Sequence, residues 1–264
     1  MSASFVKFEI DDGVARLKLN RPDKRNALTQ EFIREIRHSV ALADDASVRL
    51  LILSAEGPAF CAGMDLKQMQ DRAAAANATE LWQADTQVYR DFLVELTTLR
   101  VPTLAVVSGP ALAGGLGLVL ACDLVLASAT AVFGLPEPKR GITAAVVSPL
   151  LMHRVGISTA THLLLSGENL NAAAAFRVGL CHEVVPIDKL TSRAESLTAS
   201  ILTGAASSLA ITKQQILDFA GPQLIERIDA GMIASAAARE TDDAREGLAA
   251  FLEKRSPAWQ HDRD

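Results

Sequence analysis

The sequence predicts an α/β fold that closes in a helical C-terminal third. Three observations carry that prediction. Apolar runs of strand length at residues 48–53 and 102–107 are each followed by a glycine-bearing turn and then by helical periodicity. A further run at residues 123–127 extends the series, and runs of this kind, apolar without alternation, suit strands buried on both faces. Across residues 148–264 the period is helical almost throughout, with one short strand expected at residues 182–185.

The elements follow in order. Residues 5–10 and 14–19 alternate in polarity around Asp12-Gly13, the pattern of an opening β-hairpin. Thr29 is placed to cap a helix in which Phe32, Ile33, Ile36 and Val40 share one face. The strand at 48–53 runs into a turn at residues 57–65 and a helical region through Leu99, with the alanine-rich residues 73–76 as a loop or helix end. The strand at 102–107 leads through a second glycine-rich turn into a helix ending near Ala121.

Composition narrows the function. The net charge is −5 and no Lys/Arg block tracks one face, which argues against a nucleic-acid binder while leaving room for one small anionic ligand. The three cysteines, Cys61, Cys122 and Cys181, lie far apart in apolar stretches, so reduced buried thiols are expected, and no cysteine or histidine spacing suggests a metal. Residues 1–9 alternate and lack the apolar core of a signal peptide. Residues 104–122 carry no charge, but Ser108-Gly109-Pro110 and Gly114, Gly115 and Gly117 divide the stretch into strand, turn and helix, so no membrane span is expected. A soluble cytoplasmic protein is the expectation.

Chemistry concentrates at two Ala-Gly turns, Ala62-Gly63-Met64 and Ala113-Gly114-Gly115. At a strand-to-helix turn the first backbone N–H groups have no helical acceptor and face outward. Two such donors aimed at one point make an oxyanion hole, although either turn taken alone reads first as an ordinary structural βα connection. A dinucleotide fingerprint fails because Leu120 stands where the third glycine belongs, and no Gly-Lys-Ser/Thr makes a P-loop.

Five motifs in register are more specific: Asn20-Arg21-Pro22 with Asn26-Ala27-Leu28, Phe60-Cys61-Ala62-Gly63-Met64-Asp65-Leu66-Lys67, Gly109-Pro110-Ala111-Leu112-Ala113-Gly114-Gly115, Ala121-Cys122-Asp123, and Phe133-Gly134-Leu135-Pro136-Glu137. Together they closely resemble the crotonase, or enoyl-CoA hydratase/isomerase, family. The resemblance runs from about Phe5 to the helix around Lys254. It implies a crotonase (ClpP/crotonase-like) spiral of β-β-α units over residues 1–200, with a helical oligomerisation region over residues 201–264. By the same resemblance the N–H groups of Met64 and Gly114 hold a thioester oxygen and Glu137 is the acid/base group. Lys24, Arg25, Ala27, Ala62, Asp65, Leu66, Lys67 and Gly117 match positions around the substrate. Phe251 and Lys254 match C-terminal residues that reach coenzyme A. The implied partner is an acyl-CoA thioester, with no separate cofactor, and the implied assembly is a homotrimer or a homohexamer.

Two departures qualify the activity. Gly117 stands where hydratases of the family carry a second glutamate. Residues 141–149 differ from the usual glycine-rich segment, which resembles the methylglutaconyl-CoA-type subgroup and raises the prospect that Lys139 and Arg140 face a substrate carboxylate. Hydration of a 2-enoyl-CoA still leads, on the frequency of that activity in the family alone; a Δ3,Δ2-enoyl-CoA isomerase using Glu137 alone is its close rival, and a non-catalytic acyl-CoA binding protein is the reading from another class. The histidines are scattered and Ser148 has no nucleophile-elbow pattern, so a serine hydrolase is disfavoured. Asp65 and Asp123 read more naturally as helix caps or buried acceptors than as catalysts.

Overall fold

The computed structural model describes residues 4–260; residues 1–3 of the alternating N-terminal segment and His261 lie outside the described residues. The expected hairpin forms from β1 (Val6–Asp11) and β2 (Val14–Leu19), paired antiparallel with Val6 opposite Leu19. Asp12 and Gly13 both take positive φ, as a two-residue hairpin turn of right-handed twist requires. Helix α1 (Gln30–Leu42) starts where Thr29 accepts a hydrogen bond from the Phe32 N–H, a cap worth about 1 kcal/mol. Its buried face is the expected one: Phe32, Ile33, Ile36 and Val40.

Strand β3 (Leu50–Ala55) lies two residues later than residues 48–53, because pairing with β2 sets its register, Val14 opposite Leu50. The helical region beyond the first turn is two helices, α2 (Leu66–Ala73) and α3 (Ala78–Thr98), broken where the alanines were expected to end a helix. Then come β4 (Thr103–Val107), the two-residue β5 (Ala111–Leu112), α4 (Gly114–Ala121), β6 (Leu124–Ser128) and β7 (Val132–Gly134). The uncharged stretch at 104–122 thus divides as its glycines predict, and among the described residues no helix is long and apolar enough to cross a membrane.

The C-terminal part holds α5 (Ser148–Ser166), β8 (Asn169–Asn171), α6 (Ala172–Arg177), β9 (Glu183–Val185), α7 (Leu190–Leu202), α8 (Ala206–Ala238) and α9 (Asp242–Leu252). The main sheet has the order β1-β2-β3-β4-β6-β9, parallel from β2 onward. One face, with Leu17, Leu51, Leu53, Ala105, Val107 and Val125, packs into the large core with Phe32, Phe92 and Leu116. The other face, with Leu50, Ile52, Leu104, Val106 and Leu126, is covered by Leu190 and Ala194 of α7. Burial on both faces explains the non-alternating strands; each fully buried Leu or Ile contributes roughly 1.5–3 kcal/mol relative to exposure.

A second sheet, β5-β7-β8, was not expected from sequence. Its strands are two or three residues long, and β8 reads Asn-Leu-Asn, with no period or β-propensity to announce it. It matters because β5 carries the second Ala-Gly turn and β7 leads to Glu137.

Candidate active site

The two Ala-Gly turns are stitched side by side. Leu112 N–H donates to the Cys61 carbonyl at 2.9 Å and Cys61 N–H donates to the Pro110 carbonyl at 3.1 Å, a parallel bridge between the turns. On the far side of the first turn, Leu28 N–H donates to the Gly63 carbonyl (2.8 Å) and Asp65 N–H to the Leu28 carbonyl (2.9 Å). Met64 sits between these anchored residues, and neither its N–H nor that of Gly114 has a backbone acceptor among the described residues. Gly63 has φ +91, and a Cβ there would lie 2.6 Å from the Ala113 Cβ and 3.1 Å from the Gly114 nitrogen. Only glycine allows that approach, which brings the two donor turns into contact. Ala113 itself has φ 52, a strained conformation for a residue with a side chain, held by its N–H bond to the Gly134 carbonyl at 2.9 Å.

The Gly134 contact also positions the acid/base candidate. Three residues past β7, Glu137 opens a 3-10 turn (Glu137–Arg140) that ends at Gly141 with φ 66. Helix α9 presses on this turn so closely that a Cβ on Gly247 would lie 2.2 Å from the Arg140 carbonyl oxygen. Glu137 is buried, and its Oε2 has no hydrogen-bond partner among the described residues. Burial pushes the carboxyl up to about 7, opposed in small part by the Arg140 guanidinium. That value puts both protonation states in reach near neutral pH.

Ala62, Met64, Leu66, Gly114 and Glu137 line one cavity of about 60 Å³. The wall is otherwise largely apolar, with Met69, Ile142, Val146 and Val147. Tyr89, Ser235 and Arg239 also line it; sequence reasoning passed over all three. Tyr89 is the chain's only tyrosine, and it lies on the buried face of α3, which was the available signal. Ser235 and Arg239 sit one helical turn apart near the end of α8, in a segment rich in small residues that reads as featureless.

Gly117, expected to meet substrate, is instead covered. A Cβ on it would lie 2.1 Å from the Tyr89 hydroxyl, which donates to the Gly114 carbonyl at 2.6 Å. The space a second glutamate would enter is therefore filled by a phenol. Burial holds its proton on well above the ordinary tyrosine range, so it remains a neutral hydroxyl.

The remaining expected residues gather around the first turn. Ala62 N–H donates to the Arg25 carbonyl at 3.0 Å, and Asn26 is buried and bonds the Glu56 and Ala59 carbonyls, both at 2.9 Å. Lys24 and Arg25 are exposed beside this loop, and Arg21 bonds the Ala27 carbonyl at 2.8 Å. Asp65 is committed structurally: it caps α2 through the Lys67 and Gln68 N–H groups and pairs with Arg21 at 2.9 Å. Lys67 is exposed and pairs with Asp71 at 3.5 Å. Asp123 is likewise structural, accepting from Thr103 N–H and Oγ1 and from Lys213. Phe251, half exposed, lies under the Arg140 guanidinium at 3.9 Å, while Lys254 is exposed on the segment after α9. Of the two cations expected near a substrate carboxylate, Arg140 lines the cavity and Lys139 is exposed, its chain lying along Gly167.

All three cysteines are free and buried, and burial pushes the Cys61 thiol up to about 12, so it is not a nucleophile. No histidine lines the cavity among the described residues.

Comparison with known proteins bears on this geometry. Residues 9–262 match the model of the family described as enoyl-CoA hydratase/isomerase. A Thermus thermophilus protein named for enoyl-CoA hydratase is 38% identical over 247 residues, covering 93% of this chain and 97% of its own. An enoyl-CoA isomerase/hydratase of Mycosarcoma maydis is 33% identical, covering 94% of this chain and 92% of its own. The crystal structure of an enoyl-CoA hydratase/isomerase from Xanthobacter autotrophicus superposes with a TM-score of 0.87 at 30% identity, covering 100% of this chain and 99% of that one. The paired turns, the β-β-α architecture and these matches have one reading: the chain is an enzyme of the enoyl-CoA hydratase/isomerase family, with its crotonase fold.

Proposed function

We propose that the protein hydrates a 2-enoyl-CoA thioester, with the Met64 and Gly114 N–H groups holding the enolate oxygen and Glu137 carrying the proton. The observation that supports this most is a single cavity lined by Met64, Gly114 and Glu137, whose two N–H groups have no backbone acceptor, and whose carboxyl has one unpartnered oxygen, among the described residues. In the reaction, the Glu137 carboxylate takes a proton from water as its oxygen bonds C3. The C2=C3 electron pair moves onto the thioester oxygen. Glu137 then returns that proton to C2 and the carbonyl re-forms. The donors are held before the charge develops, so they need no reorganisation; one such donor is worth about 3–4 kcal/mol of barrier. The reaction is redox-neutral, and coenzyme A enters as part of the substrate.

Coenzyme A recognition is assigned to the rim: Lys24, Arg25, Ala27 and Lys67 around the first turn, with Phe251 in the last turn of α9 and Lys254 just beyond it. The exposed cations Lys24 and Arg25 beside a loop bonded to Ala62 support this. The assembly is proposed to be a homotrimer or homohexamer built through residues 201–264, supported by Ile211, Ile216, Phe219 and Ile233 on α8, which are 60%, 60%, 95% and 68% exposed. A cytoplasmic location is proposed from the chain's composition alone.

A second reading has its own observation. Glu137 is the only carboxylate lining the cavity among the described residues, and Tyr89 fills the space at Gly117. One carboxylate suffices to move a proton from C2 to C4, which is the Δ3,Δ2-isomerase reaction. Crotonyl-CoA and 3-hexenoyl-CoA, given separately to the enzyme and resolved by mass and retention, separate the two. Gain of water by crotonyl-CoA supports the hydratase; an unchanged mass with a shifted double bond in 3-hexenoyl-CoA, and no hydration, overturns it in favour of the isomerase.

A further inference from the structure

The cavity contains two guanidinium groups that the proton chemistry does not use. Arg140 and Arg239 both line it, and both also line the adjoining space formed by Ala73, Trp82, Ala244 and Leu248. That adjoining space excludes Met64, Gly114 and Glu137. The arginines thus stand where the cavity leads away from the thioester donors.

Neither side chain finds a hydrogen-bond acceptor among the described residues. Arg239 Nη1 is buried without a hydrogen-bond partner, and the guanidinium makes no hydrogen bond or ion pair among the described residues. Its place at the end of α8 suits a cation electrostatically, but the helix dipole does not give buried N–H donors an acceptor. Arg140 has the Phe251 ring against one face and no hydrogen bond among the described residues. The charges around them do not balance. Among the described residues Asp85 is the acid whose charge bears on Arg239, yet it already pairs with Arg72 at 3.4 Å. Among the described residues Glu137 is the acid whose charge bears on Arg140, and Arg245 at the rim is paired with Asp242 at 2.7 Å. In a chain of net charge −5, an apolar cavity has kept an excess of positive charge with unused donors. Buried polar groups are normally paired, and planar guanidinium donors match a carboxylate.

We infer that Arg239, with Arg140, binds a carboxylate at the distal end of the acyl chain, so that the substrate is an acidic acyl-CoA thioester. This rests on the acyl-CoA reading above and adds the substrate class. Ser235, buried one turn before Arg239 on the same face, adds a hydroxyl to the site.

Binding of saturated thioesters tests it without chemistry. Succinyl-, glutaryl- and adipyl-CoA are titrated by calorimetry against butyryl-, pentanoyl- and hexanoyl-CoA, their neutral counterparts of equal length. At least one acidic thioester is expected to bind at least about tenfold more tightly than its neutral partner. Arg239→Gln is expected to bring that ratio within about threefold of unity, and Arg239→Lys to retain part of it. No acid preference at any length, or a preference that survives Arg239→Gln, overturns the inference. A parallel loss of free coenzyme A affinity in Arg239→Gln also overturns it, by assigning the arginines to a phosphate. Should Arg239→Gln fail to fold, the wild-type ratios and Arg140→Gln decide in the same way. Because these ligands cannot be hydrated, the result stands apart from the crotonyl-CoA test: failure there with acid preference here removes the hydratase and leaves the acidic ligand.

Discussion

At the scale of single residues, Glu137 ties activity to stability through one cause. Its carboxyl is raised to about 7 chiefly because burial disfavours the charge. The proposed reaction begins from the carboxylate, so kcat/KM for an enoyl-CoA should fall as pH drops through about 7. Glu137→Gln should lose 10²-fold or more at every pH, a magnitude of about that order being typical of a lost acid/base group. Stability runs the other way. Between the ordinary value of 4.5 and about 7 the folded state binds more protons than the unfolded one, so folding free energy is lost as pH rises through that window. The loss amounts to roughly 3 kcal/mol at pH 8. Glu137→Gln should therefore be more stable than wild type at pH 8, and the advantage should shrink steadily toward pH 5 in urea unfolding. A pH-independent difference between the two proteins would contradict the burial argument.

At the scale of elements, the site is a contact between two turns, and its tolerance should be set by close approach. Gly63→Ala introduces a Cβ 2.6 Å from the Ala113 Cβ at a residue with φ +91. It should displace the Met64 and Gly114 donors and lower kcat by about 10²-fold, since one misplaced oxyanion donor costs that much. Gly117→Ala should destabilise by about 1–3 kcal/mol through its clash with the Tyr89 hydroxyl. In Tyr89→Phe the obstructing oxygen is gone, so the double variant should be destabilised by less than the sum of the two single changes. Strict additivity in that cycle would show that the hydroxyl does not fill the Gly117 space.

The same contrast explains what the sequence made legible. The hairpin, the capped α1, the buried strands and both Ala-Gly turns could be read because their signals are local: alternation, a cap residue, an apolar run, a glycine. Glu137 was legible from its motif and its apolar neighbours. The β5-β7-β8 sheet was not, because strands of two or three residues have no measurable period. Tyr89, Ser235 and Arg239 were not, because they reach the cavity by packing of α3 and α8, a long-range event that no local window records. The same packing places Tyr89 over Gly117, a relation between residues twenty-eight positions apart in number.

At the scale of the whole molecule, one long helix does two things. Near its C-terminal end α8 brings Ser235 and Arg239 into the cavity, and elsewhere it exposes Ile211, Ile216, Phe219 and Ile233. Apolar side chains exposed at this level on one helix are the basis of the proposed interface. If subunits associate through it, as proposed, Phe219→Glu should lower the solution mass measured by light scattering toward that of a single chain. Wild-type mass in that variant would move the interface off this part of α8, and a monomeric wild type would remove the proposed oligomer altogether.

As proposed, two turn N–H groups and Glu137 together add water to a bound enoyl thioester. The most direct test is a single turnover of crotonyl-CoA in isotopically labelled water, comparing wild type with Glu137→Gln at equal saturation. The prediction is one labelled oxygen at C3 with the wild type and almost none with the variant, although both bind the thioester. Incorporation by Glu137→Gln at the wild-type rate, or none by a saturated wild type, would contradict it.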